Sequence, residues 1–338
     1  MSERVLTVED LRVSLPVPAG TLRAVQGLSF HVDRGETLCI VGESGCGKSL
    51  TALAIMSLLP AHAERTAARL DLEGQSLASL PERAMSDIRG NRMAMIFQEP
   101  MTSLNPAYSI GDQLAETLRR HRRVSQRHAR ARAVELLERV GITAAESRLK
   151  QYPHQLSGGL RQRVMIAMAL MCQPALILAD EPTTALDVTI QAQILHLLAR
   201  LQREFAMGLV LITHDLGIVA RIATRVVVMY AGQVVETGSA AAVFSAPRHP
   251  YTRGLLACIP IPGRTRRGTA LGTIPGLVPS LVGEINGCHF ARRCRHAIDA
   301  CRAAPVPLEA AADGRRVRCI RHREIEDRPS SSPPVAIA

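Results

Sequence analysis

The chain has no tryptophan, four tyrosines and five phenylalanines, so aromatic residues make up 3% of its 338 residues. Single-stranded nucleic acids are held by stacking bases on aromatic rings. The shortage therefore weighs against such a surface, and no nucleic-acid partner is expected. Long apolar runs are also missing: the longest, Val164 through Cys172, has nine residues, against the ~20 that a membrane-crossing helix needs. Met1-Ser2-Glu3-Arg4 mixes both charge signs, and no apolar run of signal-peptide length follows. A chain that stays in the cytoplasm and does not itself span a membrane is expected. Heptads and internal repeats are absent too.

What is present is an apolar content of 47%, enough to bury an α/β core with room for an appended unit. The net charge of +11 fits nucleic acid, an anionic surface or a solubility margin equally well. Arg119, Arg120, Arg122, Arg123, Arg127, Arg130 and Arg132 crowd together with no aromatic residue among them, which reads as a solvated helical face. Four of the eight cysteines, Cys288, Cys294, Cys301 and Cys319, fall near the end of the chain. In a cytosolic protein such a group raises the question of a metal or iron–sulfur centre rather than disulfides.

Along the chain, Val5-Leu6-Thr7-Val8 and the alternating Leu28-Ser29-Phe30-His31-Val32 predict strands, with a turn over residues 16–20 between them. Apolar runs over 36–41, 93–97, 176–180, 209–213 and 226–230 suit strands of a sheet covered on both faces. A helix is predicted over 49–59 and a mostly helical segment over 99–172, clearest at 129–140, which reads as a helical insert in an α/β core. After Tyr251 the texture turns to Pro, Gly, Arg and Cys, and residues 326–338 read as disordered.

The chemistry starts at Gly42-Glu43-Ser44-Gly45-Cys46-Gly47-Lys48-Ser49, a P-loop pattern placed between strand and helix. Its glycines let backbone amides converge on phosphate oxygens at a helix N-terminus. Lys48 is expected on the β and γ phosphates and Ser49 on Mg²⁺, with Leu50 continuing the phosphate-binding segment. The run ending in Asp180 and Glu181 has the form of a Walker B strand. Asp180 would hold Mg²⁺ and Glu181 would accept a proton from an attacking water.

Leu156-Ser157-Gly158-Gly159-Leu160-Arg161-Gln162-Arg163, in order between these motifs, resembles the signature of ABC ATPases. A P-loop kinase or GTPase would lack it. The resemblance implies that Ser157, Gly158 and Gly159 contact a γ-phosphate held by a partner subunit, and that Gln98 touches the metal or lytic water. It further implies that Asp187 crosses a dimer interface and that His214 positions the water with Glu181. Catalytic roles thus fall on Glu181, His214, Gln98 and Lys48, with Ser49, Gln98 and Asp180 around Mg²⁺. The family's usual adenine-stacking ring is replaced by Ala19, so that Leu15 or Val17 is expected to cover the base instead.

Three further stretches, at 97–106, 249–256 and 287–294, look like the oligopeptide/dipeptide/nickel importer branch. The fold this implies is α/β: an ABC-type P-loop ATPase with a β-rich edge over 1–255, a small Cys-containing extension over 256–325 and a tail over 326–338. The implied activity is ATP hydrolysis energising uptake of peptides or a related solute such as nickel. The implied partners are an identical or paralogous ATPase subunit, two permease subunits and an extracytoplasmic binding protein, with the chain peripheral on the cytoplasmic face of the membrane. A soluble ABC ATPase acting on nucleic acid has only the basic charge in its favour. Gaps of five, six and seventeen residues between the four cysteines fit a zinc site poorly. The branch includes members with a four-iron four-sulfur centre there; zinc and metal-free thiols stay open.

Overall fold

The computed structural model describes residues 3–99, 103–184, 186–259, 272–311 and 313–326. The described residues form two compact units, one drawn from 1–7, 31–37 and 71–212, the other from 8–30, 38–70 and 213–338.

In the first unit, Met93–Ile96, Leu176–Asp180 and Gly208–Ile212 run parallel, with Met93 opposite Leu176 and Leu176 opposite Gly208. Every residue of the last two strands is buried, as apolar runs without alternation predict for strands covered on both faces. The helical insert follows expectation. Ile110–His121 is capped by Ser109 and Gln126–Arg139 by Ser125, each hydroxyl accepting an amide of the first turn. Ile110, Leu114 and Leu118 share a buried face with the spacing of a helix packed on a neighbour. Gly111 is needed for that packing, since a Cβ there would come within 2.9 Å of Leu149. Of the crowded arginines, 119, 120, 122, 123, 127 and 130 are exposed. Arg120 pairs with Asp87 at 2.9 Å and Arg130 with Asp112 at 3.5 Å, the solvated face read from sequence.

In the second unit, Thr37–Val41 runs parallel to Arg225–Tyr230, which pairs antiparallel with Gln233–Ser239. The extension adds two short strands, since Arg316–Val317 pairs with Gln233–Ser239 and Glu309–Ala310 with Arg316–Val317. Three details differ from the sequence reading. The turn between Arg4–Val17 and Gly20–Asp33 is confined to Pro18 and Ala19, the first strand running on through an exposed Pro16. The helix Lys48–Ile55 stops short of 59 because Ser57 adopts a left-handed backbone at φ 52° ahead of Pro60. Glu326, expected in the tail, closes the helix His322–Glu326, whereas 327–338 lie outside the described residues. Among the described residues no helix is long and apolar enough to cross a membrane.

Candidate nucleotide site and cysteine pocket

The P-loop is shaped by two close backbone approaches. A Cβ at Gly42 would lie 2.2 Å from the Met229 carbonyl oxygen, and one at Gly47, whose φ is 102°, would lie 2.3 Å from that of Ala24. Only glycine fits either place. Gly47 caps the helix Lys48–Ile55 without a side-chain bond, and the N-terminus of a helix favours an anion. Lys48 is buried, and its Nζ donates to the carbonyls of Gly42 at 2.9 Å and Glu43 at 3.0 Å. Ser44 and Gly45 are exposed at the loop's tip, Cys46 is buried beneath it, and Ser49 and Leu50 are half-buried. The Cys46 thiol is raised by burial, which the nearby Lys48 charge only partly offsets. Leu15 and Val17 are half-buried, and Ala19 is exposed.

In the first unit, Asp180 ends its strand buried, and Glu181 follows with a left-handed φ of 43°. A non-glycine residue held there stores local strain, a feature common at functional sites. The Glu181 amide donates to Ile212 O at 2.9 Å, while its carboxylate accepts from Thr184 Oγ1 at 3.0 Å and Gln98 Nε2 at 3.3 Å. The two residues singled out as base and metal contact thus meet directly. Thr184 was not singled out, although it stands three residues past the acid. Ser157 caps the helix Gly158–Ala169 by accepting from Leu160 N at 3.4 Å, and Ser157 and Gly158 are exposed. Gly159 lies close to the next helix, where a Cβ would come within 3.2 Å of Ile190. Asp187, exposed, caps that helix by accepting from Ile190 N at 3.0 Å. In the second unit His214 is exposed and follows Thr213, whose amide bonds Ile40 O at 3.3 Å.

The extension packs on the P-loop's own unit. Arg293 Nη1 donates to the Glu43 carboxylate at 2.8 Å, and the Tyr251 hydroxyl accepts the Glu43 amide at 2.9 Å. Burial alone would lower the Arg293 pKa, but hydrogen bonds to Glu43 and Tyr230 outweigh it and leave the guanidinium raised. Tyr230, Tyr251 and Phe290 form a mutually packed aromatic trio with centroids 4.6 to 5.5 Å apart. Both Arg293 and Tyr251 stand inside stretches recognised from sequence, yet nothing there pointed to the loop.

Cys288, Cys294, Cys301 and Cys319 all line one pocket, whose other walls include Phe290, Ala297, Val306 and Ile325. The Cys319 thiol is pushed up to about 12 by burial first and by the three neighbouring thiols after it. Burial likewise raises Cys288 and Cys294. Among the described residues no group of three or more His, Cys, Asp or Glu is arranged to hold a metal ion. The iron–sulfur expectation is therefore not supported by the arrangement of ligands alone.

A P-loop opening a helix and an acidic pair at the tip of a buried parallel strand define a nucleotide-binding α/β protein. The profile of the ABC transporter family matches residues 25–184, and that of the oligopeptide/dipeptide transporter C-terminal region matches residues 235–301. A putative peptide import ATP-binding protein of Brucella abortus is 53% identical over 331 residues, spanning 95% of this chain and 98% of its own length. The dipeptide transport ATP-binding protein DppD of Escherichia coli is 49% identical over 322 residues, spanning 95% and 97%. Among solved structures, a dimeric ATP-binding cassette in a post-hydrolysis state bound to ADP and Pi aligns with a TM-score of 0.62 at 27% identity. It covers 70% of this chain and 98% of its own. The chain belongs to the ATP-hydrolysing subunits of ABC transporters, in their oligopeptide/dipeptide branch.

Proposed function

We propose that this protein couples ATP hydrolysis to the import of di- or oligopeptides, or of a related solute such as nickel, from the cytoplasmic face of the membrane. Its partners are a second ATPase subunit, identical or paralogous, two permease subunits, and an extracytoplasmic binding protein that selects the solute. Support for peptides comes from the names of the relatives and from the branch-specific C-terminal region.

The observation that carries the catalytic reading is the Glu181 carboxylate, steadied by Thr184 and Gln98 one residue past Asp180. Ser49, Asp180 and Gln98 present hard oxygen donors of the kind Mg²⁺ takes, and a bound Mg²⁺ supplies charge neutralisation on the phosphates. Lys48 and the P-loop amides orient the triphosphate, Glu181 takes the proton of the attacking water, and His214 holds that water in line. Ser157, Gly158 and Gly159 complete the site of a partner subunit, and Asp187 supports that interface. ATP closes the head-to-tail dimer and hydrolysis reopens it. Glu181→Gln conserves shape while removing the base. We expect ATP to bind, turnover to fall by a factor on the order of 10²–10⁴, and a nucleotide-dependent dimer to accumulate in size-exclusion chromatography. Wild-type turnover would refute the assignment.

The finer part of the proposal gives Cys288, Cys294, Cys301 and Cys319 a four-iron four-sulfur cluster as a structural staple. Its support is that all four cysteines are among the residues lining one largely apolar pocket. Anaerobically purified protein should be brown and hold about four iron and four sulfide per chain, both lost in Cys294→Ser. A colourless, iron-free preparation would sink the cluster, and one zinc per chain would replace it.

A further inference from the structure

Glu43 is the second residue of the P-loop, and it is gripped twice, once by the helix Pro250–Ala257 and once by the extension. Its amide is taken by the Tyr251 hydroxyl at 2.9 Å and its carboxylate by Arg293 at 2.8 Å. Arg293 is itself fixed. Its Nε donates to Pro275 O at 2.9 Å, its Nη2 to Ile274 O at 3.0 Å, and its guanidinium lies over the Tyr230 ring at 5.7 Å. The ion pair is largely withdrawn from water, with side-chain exposures of 6% for Arg293 and 24% for Glu43. A pair of that kind holds its geometry far better than an exposed one. On the loop's other side, Lys48 donates to the carbonyl of the same Glu43 at 3.0 Å. Arg293, Glu43 and the phosphate-binding lysine therefore form one continuous chain of bonds. On the extension's side, Arg293 is followed directly by Cys294, and Phe290, packed on Tyr230 and Tyr251, lines the cysteine pocket.

We propose that Arg293 and Tyr251 are positioning residues for the P-loop, acting through Glu43, so that the cysteine-bearing extension sets the affinity of the loop for nucleotide phosphates. The phosphate cradle depends on amides pointing inward together. Glu43 has its own amide turned to Tyr251, which leaves the amides after it to face the ligand. Freed from Arg293, the loop samples other arrangements, and binding must first reorder it.

The inference rests on the P-loop reading, and the experiment separates the two. ADP with Mg²⁺ is titrated into the purified full-length chain, so that turnover plays no part, and melting temperature is recorded for each variant. Arg293→Ala is expected to weaken ADP roughly tenfold. Glu43→Gln should weaken it similarly, and the double variant should be no weaker than either single one. A packing role alone would lower the melting temperature of Arg293→Ala and leave ADP affinity in place. Wild-type affinity in Arg293→Ala, or single effects that multiply in the double variant, would overturn the proposal. Should Arg293→Ala fail to fold, Tyr251→Phe and Glu43→Gln decide, and wild-type affinity in both counts against it. Lys48→Ala must lose ADP binding in any case. If it does not, the P-loop reading falls and this inference with it; if it does while Arg293→Ala binds normally, only this inference falls.

Discussion

His249 and Glu236 are buried side by side at the start of the helix Pro250–Ala257. The Glu236 carboxylate accepts the amides of Arg248 and His249, both at 2.9 Å, and Arg315 approaches it at 3.7 Å. His249 caps the helix by accepting the Tyr251 amide at 3.0 Å, and burial pushes its pKa down to about 3. The imidazole is thus neutral in the fold, whereas in the unfolded chain it titrates near ~6.5. Between those values the unfolded chain binds a proton that the folded one does not. The contribution of His249 is therefore complete above about pH 6.5 and is lost as pH falls towards about 3. Glu236, raised by burial, acts with the opposite sign, because its folded form takes up the proton first. His249→Asn keeps an acceptor for the Tyr251 amide and removes the titration. From pH 7 to pH 5 the melting temperature of the wild type should drop more steeply than that of the variant. His289, also lowered by burial, remains in both and keeps the variant's slope from vanishing. Parallel slopes would show that His249 carries none of the acid sensitivity.

At the scale of elements, the strands Leu176–Asp180 and Gly208–Ile212 were legible because burial on both faces leaves an unbroken apolar run. The P-loop was legible because close backbone approach admits only glycine at 42 and 47. Where a single backbone angle decides, the pattern failed. Ser57 in a left-handed conformation ends its helix four residues early, and the turn after Val17 needs only Pro18 and Ala19. Glu309–Ala310 and Arg316–Val317 have two residues each, too few for any period to show, yet they join the sheet of the second unit. The meeting of Arg293 with Glu43 joins residues 250 apart in sequence. It follows from tertiary packing of the aromatic trio, and no local spacing encodes it. The same holds for the cysteine pocket: the crowding of four cysteines near the end of the chain raises the question of a shared centre, but only the fold sets those residues around one cavity.

At the scale of the whole molecule, the signature segment begins a helix at an exposed turn. Ser157 Oγ occupies the Leu160 amide, and the exposed turn at Ser157 and Gly158 opens a helix whose leading amides have no intrahelical partner. Under the proposed function it completes the nucleotide site of the opposite subunit, which subunit mixing can test. Lys48→Ala removes a P-loop and Ser157→Arg blocks a signature, so either variant alone should turn over ATP near background. In their heterodimer one site joins the intact P-loop of one chain to the intact signature of the other. Random pairing of equal amounts makes half the dimers mixed, with one working site in two, so roughly a quarter of wild-type activity should return. A heterodimer of wild type with Lys48→Ala also has one intact site and calibrates what one site can do. If that control hydrolyses ATP while the mixture of the two variants, shown by tag pull-down to have exchanged subunits, stays at background, P-loop and signature do not complement each other in trans and the head-to-tail site is refuted.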